Sequence, residues 1–553
     1  MQPHETYQGR LELTWTNKQL RLLAHEDGSY QWVPPVDYRV AEVRLLHDVD
    51  SVGAVHPAKT RVRDNLLIRG DALNALTSLV ELPEFAREYV GKVKLAYLDP
   101  PFNTQQAFEH YDDALEHSVW LTMMRDRLLA IKTLLSSDGS VWVHCDDSEQ
   151  AYLKVMMDEV FGRACFVATV IWRKVDSRRN DAKQFSTDHD YILIYGKQQD
   201  WRPNREVRAP EMDAIYSNPD NDPRGPWFGG GDVSSPNPRP NLRYSVTAPN
   251  GLVIQPPTNG WRWSSDRMKQ MIDEGEICFS DQGTRLFRKR YVADQENIPP
   301  STLWVDLDMT GHNRQAKYEL KRLFNQPSAE LFGTPKPERL IQQILQGGSG
   351  PGDVVLDCFL GSGTTAAVAH KMGRRWIGVE WSADTLDNFT IPRLTKVVEG
   401  RDSGGITRAA EWKGGGSFRI LEVAPSMFTE DSGRVVLSDW ATHRQLAEVT
   451  AAQLHFEYHV DGPFSGRQGR SRLAVVDGLV NEDVAHLLVG NLADDESVVI
   501  CGTAVDPKAQ EALQVLRPGS TVRKIPQSLL RQYRRRRRWL TTSSPTPGVE
   551  VAA

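Results

Sequence analysis

The feature that most constrains this chain is a pair of separated segments in which short apolar runs alternate with amphipathic, helix-spaced ones. Between Asn65 and Gly162, LLIRGDALNALTSL reads as a strand running into a helix, and KVKLAYLDPPF as a buried strand stopped by prolines. WLTMMRDRLLAIKTLL follows as an amphipathic helix, SVWVHCD as a strand and SEQAYLKVMMDEVFG as a helix closed by glycine. From Phe332 to Val398 the pattern resumes, with a helix at PERLIQQILQ, a strand at DVVLD, a Gly-rich turn, a helix at TTAAVAHKM and a strand at RWIGVE. Such alternation predicts one parallel sheet of α/β class, interrupted by an insertion.

The rest of the chain divides around those two segments. Residues 1–60 mix short alternating runs with turns and read as an N-terminal β-containing arm, and 61–163 form the first half of the sheet. Residues 164–331, rich in Pro, Asn, Gly, Arg and Trp, form the insertion, and 332–400 the second half. After the break at EWKGGGS, residues 401–540 suggest a smaller C-terminal α/β region, and the polar end, 541–553, a disordered tail. At 553 residues the chain exceeds the size at which single cores stop growing.

Two constellations carry chemistry. Asp99-Pro100-Pro101-Phe102 follows the apolar run VKLAYL, so Asp99 stands at the carboxyl end of a central strand, where α/β sheets place their ligands. An aromatic exocyclic amine is a poor nucleophile unless acceptors hold its N–H groups. Asp99 and the Pro100 carbonyl supply two such acceptors, Pro101 stiffens the turn, and Phe102 offers a stacking face. Alone, the tetrapeptide is equally a strand-ending turn.

The second constellation is Asp357-Cys358-Phe359-Leu360-Gly361-Ser362-Gly363-Thr364-Thr365, between a strand and a helix, with Glu380 ending the next strand. Gly361 and Gly363 let backbone approach a ligand closely, and an acid some twenty residues on suits ribose hydroxyls, which is a nucleoside-binding layout. Neither a third glycine nor a P-loop lysine follows. Gly70-Asp71 and Thr334-Pro335-Lys336-Pro337 stand at helix starts, where each would alone be simple punctuation.

The joint order of Gly-Asp, DPPF, insertion, TPKP, DCFLGSGTT and GVE resembles the β-class DNA amino-methyltransferases. It most resembles the modification subunits of type III restriction systems, over residues 60–400 and through DPPFNT, VWVHCDDSE, MDEVFG with VIWRK, and TPKPERL. DPPF is similar to the DPPY-type motif, with Phe for Tyr. The resemblance implies a Rossmann-like methyltransferase sheet, S-adenosyl-L-methionine as cofactor, and an adenine flipped from duplex DNA and methylated at N6 by direct attack. Asp99, Pro100, Pro101 and Phe102 would be catalytic. Asp71 would meet the cofactor's adenine, Lys336 its methionine end, and Asp357, Phe359, Gly361, Gly363, Thr364 and Glu380 would form its cradle. The insertion stands where that family has its target-recognition domain.

Within the insertion, Arg173, Lys174, Arg178 and Arg179 suit phosphates, and Trp261, Arg262 and Trp263 suit groove or base contacts; a folded module with solvated charges and core tryptophans is the alternative. Near the end, Arg534–Arg538, flanked by Tyr533 and Trp539, reads as a phosphate-binding run or a helix cap. N4-cytosine methylation, or a specificity subunit without catalysis, are the rival readings. Asp at the head of the motif favours adenine, since Ser is commoner in the cytosine enzymes. An ATP-dependent restriction or helicase subunit and a homodimer are compatible partners, and no P-loop or nuclease motif belongs to the chain itself. A net charge of −6 does not decide against local DNA contacts. The five scattered cysteines have no zinc or disulfide spacing, no apolar run is long enough for a membrane helix, and the N-terminus lacks a signal pattern, which together fit the cytoplasm and no metal.

Overall fold

The computed structural model describes residues 12–24, 30–57, 63–102, 107–108, 111–112, 116–180, 182–208, 210–327, 330–432, 434–441 and 445–530. The basic run Arg534–Arg538 and the tail 541–553 lie outside the described residues, as do Met1–Leu11. The backbone separates into two units, one of residues 1–202 with 301–553 and one of residues 203–300.

Among the described residues, the largest sheet of the first unit has ten strands. In chain order they are β1 (Leu46–Gly53), β2 (Asn65–Arg69), β3 (Val93–Leu98), β4 (Leu135–Cys145), β5 (Phe166–Arg173), β6 (His189–Gly196), β7 (Leu303–Trp304), β8 (Val354–Asp357), β9 (Arg375–Glu380) and β10 (Ser417–Val423). Their spatial order is β7-β5-β6-β4-β3-β8-β9-β2-β10-β1. From β4 across to β10 neighbours run parallel. β6 pairs antiparallel with β4 and β5, and β1 antiparallel with β10.

The central strands read as continuous apolar runs because both their faces are covered. Leu66, Ile68, Ala96, Leu98, Val141, Val143 and Leu356 enter one core with helices α1 (Ala72–Glu81), α2 (His117–Leu134) and α3 (Gln150–Phe161). Their alternates Leu67, Leu95, Tyr97, Trp142 and Val355 enter the other, with α4 (Glu338–Gly348), α5 (Thr364–Lys371) and α6 (Ile391–Val398). The fold is of the expected α/β class, with helices on both faces of the sheet.

Three boundaries differ from the sequence expectation. β5 and β6, read as the start of the insertion, extend the main sheet, and β7 returns to pair with β5 at Leu303 and Trp304. The separate unit is therefore 203–300 and not 164–331. β1, from the arm, and β10, from beyond the glycine break, also join the sheet, since β10 lies parallel to β2 from Phe418 to Glu422. The remaining C-terminal chain builds a five-stranded sheet in the order β11 (Glu457–Asp461), β12 (Phe464–Gln468), β13 (Ser471–Val480), β14 (Ser497–Val505) and β15 (Thr521–Lys524).

The unit of residues 203–300 has its own core of Val233, Trp261, Met268, Met271, Ile277 and Leu286. A two-bond pair between the backbones of Glu206 and Ile298, at 2.8 and 3.0 Å, joins its two ends.

Candidate active site

Four neighbouring parallel strands, β3, β8, β9 and β2, each deliver one acid at the carboxyl end. Asp99 follows β3, Asp357 ends β8, Glu380 ends β9, and Asp71 lies two residues beyond β2. After β3 the chain passes through α2 to β4 on one side, and after β8 through α5 to β9 on the other. Asp99 and Asp357 thus flank the point where connections diverge, which opens a crevice in such sheets.

The DPPF turn is pinned from below by Trp120, whose indole N–H donates to the Pro101 carbonyl at 2.7 Å. Pro100 is buried, while Asp99 and Phe102 are half-buried. The Lys336 ammonium bridges both Asp99 oxygens at 2.6 and 2.8 Å and lies 5.0 Å from the Phe102 ring centre. Pro337 meanwhile caps the start of α4, so TPKP both begins a helix and projects its lysine. Lys336 was expected with the cofactor group; its contacts place it with Asp99.

Behind Phe102 stands a layer that motif reading missed. The His144 ring stacks on Phe102 at 5.6 Å and 21°, with its edge toward Trp172 at 5.4 Å. His144 is fully buried, its Nδ1 3.0 Å from the Tyr97 hydroxyl and its Nε2 3.3 Å from Asp190. Burial, joined by the Lys336 charge, lowers the imidazole's pKa, so it is neutral. A carboxylate only accepts, so Nε2–H donates to Asp190 and Nδ1 accepts from Tyr97. Burial alone would raise Asp190, but the His144 hydrogen bond and the Lys174 and Lys336 charges hold it below the usual carboxylate value. Lys174, expected on phosphate, instead donates to Asp190 at 2.6 Å, and Arg173 donates to the carbonyls of Val175 and Asp176. The signal available in sequence was a histidine in the apolar second half of β4, two residues beyond Trp142.

The glycine-rich turn depends on its glycines for both backbone angle and clearance. Gly361 and Gly363 take φ of +50° and +80°, and an added methyl would press at 3.1 Å on Phe332 or Thr390. Glu380 accepts Gly361 N–H and Ser382 N–H, each at 2.9 Å, while its carbonyl accepts Gly70 N–H at 3.0 Å. Its carboxylate and carbonyl therefore tie the turn to β9 and to the end of β2. Asp357 accepts Phe359 N–H at 2.9 Å. Burial raises its pKa to about 7, against the Thr365 and Phe359 hydrogen bonds and with help from the Asp99 and Glu380 charges.

Asp71 caps α1 through Leu73 and Asn74 N–H and pairs with Arg127 at 2.8 Å; the Arg127 guanidinium lies 5.8 Å from the Phe359 ring centre. The Thr364 hydroxyl accepts from Arg393 at 2.8 Å. Arg393 and Lys371 both hold Glu338, at 2.8–2.9 Å, and Lys371 also reaches Asp402 at 2.6 Å. This buried cluster ties the start of α4 to the turn. Trp381, directly after Glu380, is 51% exposed at the same edge and was not singled out from sequence.

In the unit of residues 203–300, Trp261 is buried and donates to the Tyr244 carbonyl, which makes it a core residue and not a base contact. A cleft of about 490 Å³ is lined by Arg224, Arg262, Trp263, Arg288 and Arg290, with Glu276 paired to Arg288. Among the described residues no group of three or more His, Cys, Asp or Glu is placed to hold a metal ion.

Residues 93–390 match the protein family described as DNA methylase. The chain is 29% identical over 445 residues to the probable type III restriction-modification enzyme HindVI Mod subunit of Haemophilus influenzae, covering 68% of this chain and 56% of that one. To the StyLTI Mod subunit of Salmonella typhimurium it is 30% identical over 402 residues, covering 62% and 58%. The chain thus spans under three-fifths of the length of these two relatives. Among solved structures, a putative DNA modification methylase from Thermus thermophilus, complexed with S-adenosyl-L-methionine, aligns at 17% identity and a TM-score of 0.31, over 66% of this chain and 100% of that one.

Proposed function

The chain belongs to the DNA methylase family, and from that premise we propose that it methylates N6 of an adenine flipped out of duplex DNA, as the modification component of a restriction system. The observation that carries the reading is the convergence of Asp99, Asp357, Glu380 and Asp71 on the carboxyl ends of four adjacent strands. S-adenosyl-L-methionine, when bound, supplies the sulfonium methyl that the amine attacks. The turn Asp357–Thr364 and Glu380 would hold it, with Asp71 beside Phe359 through Arg127.

Asp99 accepts one amine N–H through lone pairs that Lys336 leaves open, and the Pro100 carbonyl accepts the other. These acceptors hold the nitrogen out of conjugation and aim its lone pair, so positioning and fixed dipoles carry the rate. Phe102, backed by His144, fixes the plane of the base. The proton released from the methylated amine passes to solvent past Asp99. Arginines of the 490 Å³ cleft supply phosphate contacts.

The names of the Mod-subunit relatives support association with a restriction subunit, and a cytoplasmic location and a homodimer are compatible with the reading. Among the described residues no helix is long and apolar enough to cross a membrane. The test is expression in a host devoid of DNA methylation, followed by nucleoside digestion and modification-sensitive sequencing. N6-methyladenine at one recurrent site is the expected result, lost with Asp99→Ala; N4-methylcytosine, or unmodified DNA, refutes the reading.

A further inference from the structure

The loop from Lys174 to Asp188, between β5 and β6, belongs to the unit that holds the candidate active site. Its neck is closed by Lys174 N–H donating to the Asp188 carbonyl at 2.9 Å, and further out by Arg179 N–H donating to the Ser186 hydroxyl at 2.9 Å. The neck is also tied to the catalytic layer. Lys174 holds Asp190, Asp190 holds His144, and His144 stacks on Phe102. The loop therefore projects from the layer that backs the DPPF turn.

Beyond the neck the loop carries Phe185, which is 92% exposed, together with exposed Arg178, Arg179 and Lys183. Two of the loop's acids are spent locally: Asp176 pairs with Arg314 at 2.7 Å, and Asp188 accepts from Ser186. Asp181 lies outside the described residues. A bare aromatic ring among cations complements a partner that is anionic outside and apolar within. A nucleic-acid duplex has that construction, phosphates over stacked bases, and apolar side chains wedge between its base steps. Extruding a base breaks its stacking and pairing, a cost that a side chain filling the vacated space can offset.

We propose that Phe185 is the wedge that enters the DNA stack at the target position while Arg178, Arg179 and Lys183 meet the flanking phosphates. The proposal rests on the methylation reading above. It gives the His144–Asp190–Lys174 chain a purpose beyond packing, since that chain links the stacking ring to the neck of the loop that bears the wedge.

The test uses the full chain and duplexes carrying the site mapped by sequencing. In one duplex the target adenine is paired, and in the other it faces an abasic position, so that little pairing remains to be broken. Phe185→Ala is expected to slow methyl transfer at least tenfold on the paired duplex and to stay within about threefold of wild type on the abasic one. Phe185→Trp should restore the paired rate, and 2-aminopurine at the target should brighten with wild type and not with Phe185→Ala. Equal losses on both duplexes, or a Phe185→Ala rate within twofold of wild type on paired DNA, overturn the wedge alone. A wild-type chain that methylates no DNA overturns the wedge together with the reading beneath it.

Discussion

Asp357 makes cofactor affinity depend on pH in a calculable way. Burial holds its carboxyl proton to about pH 7, against a reference value of 3.8. On the proposed reading the α-ammonium of S-adenosyl-L-methionine would lie beside Asp357 and need its ionised form, so the apparent dissociation constant would scale as one plus the ratio of protonated to ionised Asp357. With a pKa of about 7, that factor is roughly 30 at pH 5.5 and close to 1 at pH 8, a difference of about 2 kcal/mol. Calorimetric titration in two buffers of different ionisation heat, from pH 5.5 to 8, measures affinity and proton release together. Below pH 6 close to one proton should leave on binding. Asp357→Asn should give weak binding without the slope. An affinity constant within twofold across that range, or no proton release, refutes the reasoning. The same group sets a stability trend without cofactor. Because its folded pKa is raised, its favourable contribution is full below about pH 4 and is lost as pH rises through about 7, at roughly 1.4 kcal/mol per pH unit.

Lys336→Met separates two roles for that lysine: methyl transfer should fall at least tenfold while cofactor affinity stays within threefold, and the opposite pattern in equilibrium binding and single-turnover rates would return Lys336 to the cofactor. Lys371→Met leaves the buried Glu338 and Asp402 short of a cation that contacts both. Breaking such a cluster costs about 3–5 kcal/mol; urea denaturation followed by tryptophan fluorescence should show a lower midpoint, and an unchanged one refutes the cluster's part in stability.

Much of the central sheet is legible in the sequence because parallel strands covered on both faces become unbroken apolar runs, and because their carboxyl ends are where acids and glycines interrupt them. VKLAYL before Asp99 and VVLD before Cys358 carry both signals. Membership of a sheet is a different matter. β5, β6, β1 and β10 have strand-like stretches, but nothing local records which edge they extend, so the insertion reads as wider than residues 203–300. The same limit applies within the site. Lys336 meets Asp99 across 237 positions, and His144 meets Asp190 across 46. Motif spacing fixes residues on one turn, whereas these pairs exist only once strands and helices are stacked.

The backbone pair between Glu206 and Ile298 gives the 203–300 unit the properties of an exchangeable cassette. Its ends already meet, so a substitute of another length or sequence need reproduce only that junction, and loop-closure entropy grows slowly with what lies between. The main sheet receives and recovers the chain at β6 and β7, strands that bear none of the four acids. Those hundred residues or so can therefore be replaced as a block while the four strands that bear the acids are inherited without revision.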